Sequence, residues 1–410
     1  MENSTIDKRI YLPKLKEIFE PELAEEIIKF PIMEVPAEMT MSTDCAKVDV
    51  VPLVVKGSIR TVRMDERQKE IFIYDINPLE CCIASVTSAM CGTEIYNFSG
   101  ITNEDTAIFL ISKEVTNEWL SKYESWRLFI FKLYENRIFD LLEKNDTVNR
   151  QKDEITKQKK DITDSIVYAQ RIQNAALPPE DFIQSILPEH FILFKPRSIV
   201  SGDYYWISQI EDKTVIAVAD CTGHGVPGAF MSMLGISLLN QMVSNSKLKH
   251  ANEILDEMRE NVKKSLRQMD KNSETRDGMD MVLMIFDFKN NTLEYSGAYN
   301  PIYILRNNEL IELSADRMPI GIHLKEERKF TLQTFDFLKN DMFYAFSDGY
   351  FDQFGGQTSR KFMSRQFKEL VLKINTESMS KQKELLIGAL ETWKGKHDQV
   401  DDILVMGIRA

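Results

Sequence analysis

Read by the spacing of its apolar positions, the chain falls into three regions. From about Leu12 to Asp146 it runs helix, short strands, helix. The segment "VVPLVVKGSIRTVRMDERQKEIFIYDINP" reads as strand, a turn centred on Gly57, strand, charged hairpin and strand; "DTAIFLIS" adds another, and "KEVTNEWLSKYESWRLFIFKLYENRIFDLLEK" is a long amphipathic helical stretch. From Asp146 to Leu177 glycine and proline are absent and charge is dense. Leu141, Val148, Ile155, Ile162, Ala169 and Ala176 recur every seven residues, the spacing of a coiled-coil a position, while Gln151, Gln158 and Ser165 interrupt the d positions. This predicts a weak parallel dimer helix, or else one solvated helix lying on a domain. Pro178-Pro179 ends it, because proline cannot continue a helix interior.

From Glu180 to Ala410 the patterns are those of an α+β layered domain. Strand candidates are "FILFKPR", "YYWISQI", "TVIAVAD", "MVLMIFDF", "TLEYSGAY", "PIYILRN", "ELIEL", "MFYAFSD" and "DILVMGIRA". Tight polar turns such as "KNN" and "RNN" favour antiparallel hairpins. Helical patterns at "GAFMSMLGISLLNQMV", "ANEILDEMRENVKKSLRQM", "RQFKELVLKI" and "SKQKELLIGALETW" complete the inventory, which fits two packed sheets flanked by helices. The expected domains are 1–140, 141–179 and 180–410.

Composition narrows the function. With 51 Lys+Arg against 63 Asp+Glu, the net charge of −12 lacks the basic excess of a nucleic-acid binder. The N-terminus has no apolar core of signal-peptide type, and no run of 18 uncharged apolar residues is expected, so the chain reads as soluble and cytoplasmic, without a membrane partner. Five cysteines, Cys45, Cys81, Cys82, Cys91 and Cys221, lack a C-x-x-C spacing and suit reduced thiols. The pair Cys81-Cys82 is either a redox or metal sensor or two small buried hydrophobes.

In "TVIAVADCTGHGVPGAFMSM", Gly223 to Gly228 fits the dinucleotide spacing G-x-G-x-x-G. No Asp or Glu follows between Ala229 and Asn252 to hold a ribose, and Asp220 stands where a pyrophosphate would lie. A carboxylate there suits a cation. Asp203, Asp348 and Asp401 likewise sit where strands begin or stop, and none has an obvious basic partner in sequence. Such acids suit hard divalent ions, and without a Cys/His cluster zinc is not expected. There is no G-x-S-x-G elbow, P-loop lysine motif or H-E-x-x-H helix. Metal-assisted hydrolysis of a phosphate ester is the reaction class that best uses these residues.

The ordered set "KPRSIVSGDYYW", "VADCTGHGVPGAFMSML", "DGMDMVLMIF", "GAYNPIYILR", "FSDGYFDQFGG" and "QVDDILVMGIR" resembles the metal-dependent protein phosphatase (protein phosphatase 2C) superfamily, in its bacterial SpoIIE-like branch. The resemblance implies a β-sandwich flanked by helices and two divalent ions, Mn²⁺ or Mg²⁺. It makes Asp220 the bridging acid, the Cys221 carbonyl a further ligand, and Asp203, Asp348 and Asp401 the remaining metal-binding acids, with Asp402 an alternative to Asp401. It also implies attack of a metal-activated water on phosphoserine or phosphothreonine. His224 is then either general acid or a structural turn residue, and Arg197 either grips the phosphate or makes a surface ion pair. Asp277 and Asp280 either support the metal site from behind or flank a turn. The implied partner is a phosphoprotein, with an anti-sigma-factor antagonist as one candidate.

The first region resembles the cyclic-nucleotide-binding β-roll of the Crp/Fnr family through "VVPLVVKGSIRTVRMDERQKEIFIYDINPLECC". That family's phosphate cassette needs an arginine, but no Lys or Arg occurs from Cys81 to Ser112, and Leu79 replaces the usual glycine before Glu80. Burying a phosphate there without a cation is costly, so cyclic nucleotides are not expected to bind. The resulting expectation is a sensor-regulated phosphatase that dimerises through its linker. One alternative is a transcription regulator, which needs a basic helix-turn-helix that the chain does not offer. The other is a catalytically silent scaffold, which has no need of the four acids.

Overall fold

The protein is described by a computed structural model covering residues 7–42, 49–65, 69–91, 98–187, 189–244, 250–268, 276–323 and 328–410. Cys45 and the tip of the charged hairpin lie outside them. The chain divides into two compact units, Met1–Ile155 and Thr156–Ala410.

In the first unit, short helices α1 (Leu12–Lys16) and α2 (Pro21–Ile27) precede strands β1 (Ile32–Val35), β2 (Thr40–Ser42), β3 (Val50–Lys56), β4 (Ile59–Met64) and β5 (Glu70–Ile76). Helix α3 (Ile83–Cys91), strands β6 (Ser99–Thr102) and β7 (Thr106–Ser112), α4 (Lys113–Lys122) and the start of α5 (Glu124–Ala176) follow. The strands form two antiparallel sheets, ordered β1-β7-β3 and β2-β6-β4-β5. Leu15, Phe19 and Leu23 from the N-terminal helices pack with Leu53, Phe109, Trp119 and Trp126 as one core. At the turn between β3 and β4, Gly57 has φ +75°, and a Cβ there would stand 2.8 Å from the Asp105 carbonyl oxygen, so only glycine fits.

The helical stretch after β7 is broken where its sequence reads as continuous. Tyr123 is extended, at φ −117° and ψ 126°. Two glutamates from around α2 hold the break. Glu26 accepts from Trp119 Nε1 at 2.9 Å, Lys122 Nζ at 2.7 Å and the Tyr123 hydroxyl at 2.7 Å, while Glu20 accepts from the Ser125 hydroxyl at 2.5 Å.

The second unit, entered by the end of α5, adds α6 (Glu180–Ile186), β8 (His190–Lys195), β9 (Tyr204–Ile210), β10 (Lys213–Cys221), α7 (Gly225–Ser244) and α8 (Ala251–Ser265). Then come β11 (Met279–Asp287), β12 (Thr292–Ala298), β13 (Ile302–Arg306), β14 (Glu309–Leu313), β15 (Gln333–Asp336) and β16 (Met342–Phe346). After the turn α9 (Gly349–Asp352) and the short pair β17 (Phe354–Gly355) and β18 (Arg360–Lys361), α10 (Met363–Ile374), α11 (Met379–Lys394) and β19 (Ile403–Arg409) finish the chain. Two five-stranded antiparallel sheets result, β15-β12-β11-β10-β9 and β14-β13-β16-β19-β8. All nine strand candidates form; β15 is additional, and its polar sequence gives no apolar alternation to read.

Period-two alternation divides the strand residues between layers. Val215, Ala217 and Ala219 face α7 and α8, whereas Ile216 and Val218 face the second sheet. On β19, Leu404 and Met406 face inward and Ile403 and Val405 face α10 and α11. The unit is therefore helix, sheet, sheet, helix, the β-sandwich expected from the strand inventory.

Helix α7 corrects one expectation. Gly225–Val243 carries no charge and is long and apolar enough, by length and composition, to cross a bilayer. Met231, Ile236, Leu239 and Met242 instead pack it into the core beside β10.

The glycines before and inside α7 do conformational and steric work. Gly223 and Gly225 have φ +85° and +66°, the left-handed region that reverses the chain after β10. A Cβ on Gly202 would stand 2.6 Å from the Gly223 carbonyl oxygen, and one on Gly228 would collide with the same oxygen and lie 2.9 Å from the Gly202 Cα. The Gly-rich spacing thus lets three backbone segments touch. Because no flexible side chain can yield there, Gly228→Ala is expected to lower unfolding free energy by about 1–3 kcal/mol, read as an earlier midpoint in urea. An unchanged midpoint means the contact is not tight.

Candidate metal centre

Four inward-facing rows of the sandwich end in carboxylates. Val218 is followed on its row by Asp220, Val282 is preceded by Asp280, Tyr205 by Asp203 and Leu404 by Asp402. Asp220 pairs directly with Asp280 across β10 and β11, and Ala219 pairs with Tyr204, which puts Asp203 beside Asp220 on the other flank. Like charges directly opposite each other on a sheet repel. Three acids in adjacent rows therefore close one end of the apolar interior.

The second sheet supplies the rest. Ser347, after β16, donates its hydroxyl to Asp203 Oδ2 at 2.6 Å and accepts from the Leu404 N–H at 3.0 Å, tying the two sheets together. Asp348 follows at the mouth, where it is exposed. A Cβ on the next residue, Gly349, would collide with the Asp402 carbonyl, so glycine lets this turn close against β19. Asp401 is half-buried, and its Oδ1 accepts from the Asp402 N–H at 2.9 Å.

Electrostatics report a shortage of positive charge. Burial pushes the Asp203 carboxyl well above the carboxylate range, and Asp402, Asp401 and Asp348 push it further, against the Ser347 hydrogen bond. Asp220 is raised by burial first, then by Asp203, Asp348, Asp401 and Asp280. Asp280 is pushed up to about 7, by burial and then by Asp348. Asp348, though open on one side at the mouth, is raised by the desolvation of its carboxyl against the packed site and then by Asp352 and Asp401, opposed by a hydrogen bond with Asp220 and by Lys361. Asp401 is raised by burial, with His224 and Arg197 pulling it back. Buried carboxylates without enough counter-charge are the donor set of a hard cation. Among the described residues no three His, Cys, Asp or Glu side chains are grouped closely enough to enclose one ion by themselves. That suits ions which retain waters and take backbone carbonyls.

The sequence-derived residues meet here, with distinctions. The Cys221 side chain is buried in the α7-facing core and its thiol is pushed up by burial, so it offers the site only its backbone. Its carbonyl oxygen lies 3.4 Å from where a Cβ on Gly202 would stand, next to Asp203. Both Asp402 oxygens are occupied by main-chain donors, Oδ1 by Arg197 N at 2.7 Å and Oδ2 by Gly202 N at 2.8 Å. Asp402 thus braces the loop that carries Asp203. Arg197 and His224 are exposed, and both act on Asp401. Asp280 joins the cluster. Asp277 does not appear among the charges acting on it, and its carbonyl accepts from Gln268 Nε2 at 2.7 Å.

Gln173, near the end of α5, is a further residue that the charged linker pattern concealed. Its side chain is 3% exposed. Nε2 donates to the Ser201 carbonyl at 2.6 Å and the Ser232 hydroxyl at 2.8 Å, and Oε1 accepts from the Ser201 N–H at 3.1 Å. One amide of the linker helix thereby holds both the loop two residues before Asp203 and helix α7.

Comparison with known proteins agrees with this geometry. The profile of the family described as Stage II sporulation protein E (SpoIIE) matches residues 210–410. No curated protein matches the chain. Among solved structures, the SiaA-PP2C domain of Pseudomonas aeruginosa is 32% identical, with 62% of this chain and 98% of that one covered and a TM-score of 0.56. The PP2C phosphatase domain of SpoIIE from Bacillus subtilis, with a fragment of its regulatory domain, is 17% identical over 54% of this chain and 61% of that one, with a TM-score of 0.44. The catalytic domain of the serine/threonine phosphatase PstP, solved with two manganese ions, is 15% identical over 54% and 96%, with a TM-score of 0.39. With the fold, the ordered motifs and the acid cluster in agreement, the chain belongs to the SpoIIE family of PP2C-type serine/threonine protein phosphatases.

Proposed function

We propose that this phosphatase removes phosphate from phosphoserine or phosphothreonine on a regulatory protein, with two divalent ions, Mn²⁺ or Mg²⁺, as cofactors and with its first unit as the controlling input. The observation that carries the reading is Asp220, half-buried, in register between Asp203 and Asp280 and within the electrostatic reach of Asp348 and Asp401. Asp203, Asp220, Asp348, Asp401 and the Cys221 carbonyl would hold the ions; Asp401 is preferred to Asp402 because each Asp402 oxygen already accepts a main-chain N–H, whereas only one Asp401 oxygen does. When bound, such ions acidify a coordinated water and neutralise charge on a phosphoryl group. The remaining roles belong to side chains at the mouth. Arg197, exposed, would grip phosphate oxygens bidentately, and His224, exposed on the Gly-rich turn, would return a proton to the leaving serine or threonine oxygen.

Control by the first unit rests on α5, one helix from Glu124 to Ala176. Trp126 belongs to the core of the first unit and Gln173 to the loop that carries Asp203, so the same element is anchored in both. In the first unit, Glu80 is already engaged: its Oε2 accepts from the Asn77 N–H at 2.9 Å and pairs with Arg137 at 3.3 Å. This supports an input other than a cyclic nucleotide. The exposed heptad residues Val148, Ile155 and Ile162, at 59%, 64% and 62%, support a homodimer formed along the helix.

Hydrolysis of p-nitrophenyl phosphate with Mn²⁺ tests the central reading. EDTA is expected to abolish it, and Asp220→Asn to reduce it on the order of 100-fold or more. Activity indifferent to both removes the acid cluster from the chemistry, and a full-length chain and 180–410 fragment that are both inactive with Mn²⁺ favour the silent scaffold.

Cation binding should also depend on pH with a definite sign. A carboxyl whose folded pKa is raised stabilises the metal-free fold at low pH and loses that contribution as pH rises through the raised value, the window in which protons give way to cations. That window runs from the ordinary carboxylate range to about 7 for Asp280. Mn²⁺ is therefore expected to raise the thermal midpoint little at about pH 5.5 and clearly more at about pH 7.5. Equal rises at both overturn the assignment.

For the dimer, sedimentation of the full chain at tens of micromolar should show two copies, and the double variant Ile155→Asp, Ile162→Asp one. A monomeric wild type rules out the helix as a dimer seam.

A further inference from the structure

A cavity of about 170 Å³ lies between the two sheets of the first unit, walled by residues of β1 to β7 and by the start of α3. Ile59, Ile76 and Leu110 give it apolar walls; Thr61, Ser85 and Cys82 are its polar members. Among the described residues that line it there is no Asp, Glu, Lys, Arg or His. Thr61 is 1% exposed, and its hydroxyl has no hydrogen-bond partner. An unpaired buried hydroxyl costs about 1–3 kcal/mol, and valine would have the same shape without that cost. A hydroxyl kept there, on the wall of an apolar void, is a group awaiting a partner.

The geometry points to a ligand site in the β-roll for a compact, uncharged, ring-sized apolar molecule that carries one hydroxyl or carbonyl. Size and chemistry each contribute. An apolar cavity of about 150 Å³ in another protein stays dry and binds benzene, so the void here matches a six-membered ring with one substituent. The Thr61 hydroxyl can donate to a carbonyl or accept from a hydroxyl. A cyclic nucleotide is excluded on both counts, since its phosphate would meet no cation and its base and sugar exceed the volume. A lone water is a poor occupant, because its share of liquid volume, about 30 Å³, fills only a fraction of the void. The wall also adjoins α5: Cys82 Sγ lies 3.7 Å from the Tyr74 hydroxyl, and the Arg137 guanidinium stacks over the Tyr74 ring at 4.4 Å.

The test uses ¹⁹F NMR on the full-length chain with two probes, 4-fluorophenol and fluorobenzene, and cyclic AMP as competitor. Both probes are expected to bind, 4-fluorophenol the tighter, and cyclic AMP to displace neither. Thr61→Val should weaken 4-fluorophenol about three- to tenfold and leave fluorobenzene unchanged, which also reports that the variant is folded. Failure of both probes to bind overturns the site. Equal 4-fluorophenol affinity in wild type and variant overturns the role of Thr61 and places the probe elsewhere, and displacement by cyclic AMP overturns the ligand class.

Discussion

The second unit is organised around the repulsion among carboxylates at one end of its sandwich. Asp203, Asp220 and Asp280 are neighbours across three strands, and burial alone already disfavours their charge. A sheet tolerates such a row only if the rest of its pairing is strong. Here it is: behind the acids, Ile216, Val218, Val282, Met284, Leu404 and Met406 fill a continuous apolar layer, all fully buried. The acids thus store unfavourable energy, and the apolar layer keeps the fold intact while they do so. Stability given up at a site in this way is the usual cost of poised chemistry.

Bracing follows from the same constraint. Repelling groups stay together only if the backbone beneath them cannot spread. Ser347 fastens Asp203 to the second sheet, and Asp402 clamps Arg197 and Gly202 by their N–H groups. Gly202, Gly223 and Gly228 bring the turn after β10 into backbone contact with the loop before β9. None of these groups needs to touch a substrate, yet each fixes where an acid stands.

What could be read from the sequence follows the same division. Asp203, Asp220, Asp348 and Asp401 are visible because each interrupts an apolar run at a strand end. The distinction between Asp401 and Asp402 is not visible: adjacent identical residues differ only in which way the strand turns them, and that depends on the register of β19 with β16 and β8. Gln173 is hidden because, in a charged helix, one glutamine beside the heptad seam looks solvated until Ser201 and Ser232 are brought to it. The break at Tyr123 is hidden for a similar reason, since the glutamates that hold it lie about a hundred residues earlier. Local pattern encodes elements and their faces; long-range hydrogen bonds decide where an element stops. Of the two readings of Cys81-Cys82, burial favours the bland one for Cys81, whose thiol is pushed far up within the apolar core.

The tightest tie between the linker helix and the acid cluster runs through Gln173. Its amide makes three hydrogen bonds in a site with almost no solvent; displacing it leaves the Ser201 N–H without its acceptor, at about 1–3 kcal/mol, while the Ser201 carbonyl and the Ser232 hydroxyl keep their mutual bond at 3.2 Å. Ser201 is followed by Gly202, held by Asp402, and then by Asp203, so the same amide steadies the loop that bears Asp203. Where the end of α5 sits and where Asp203 stands are therefore tied together through one amide.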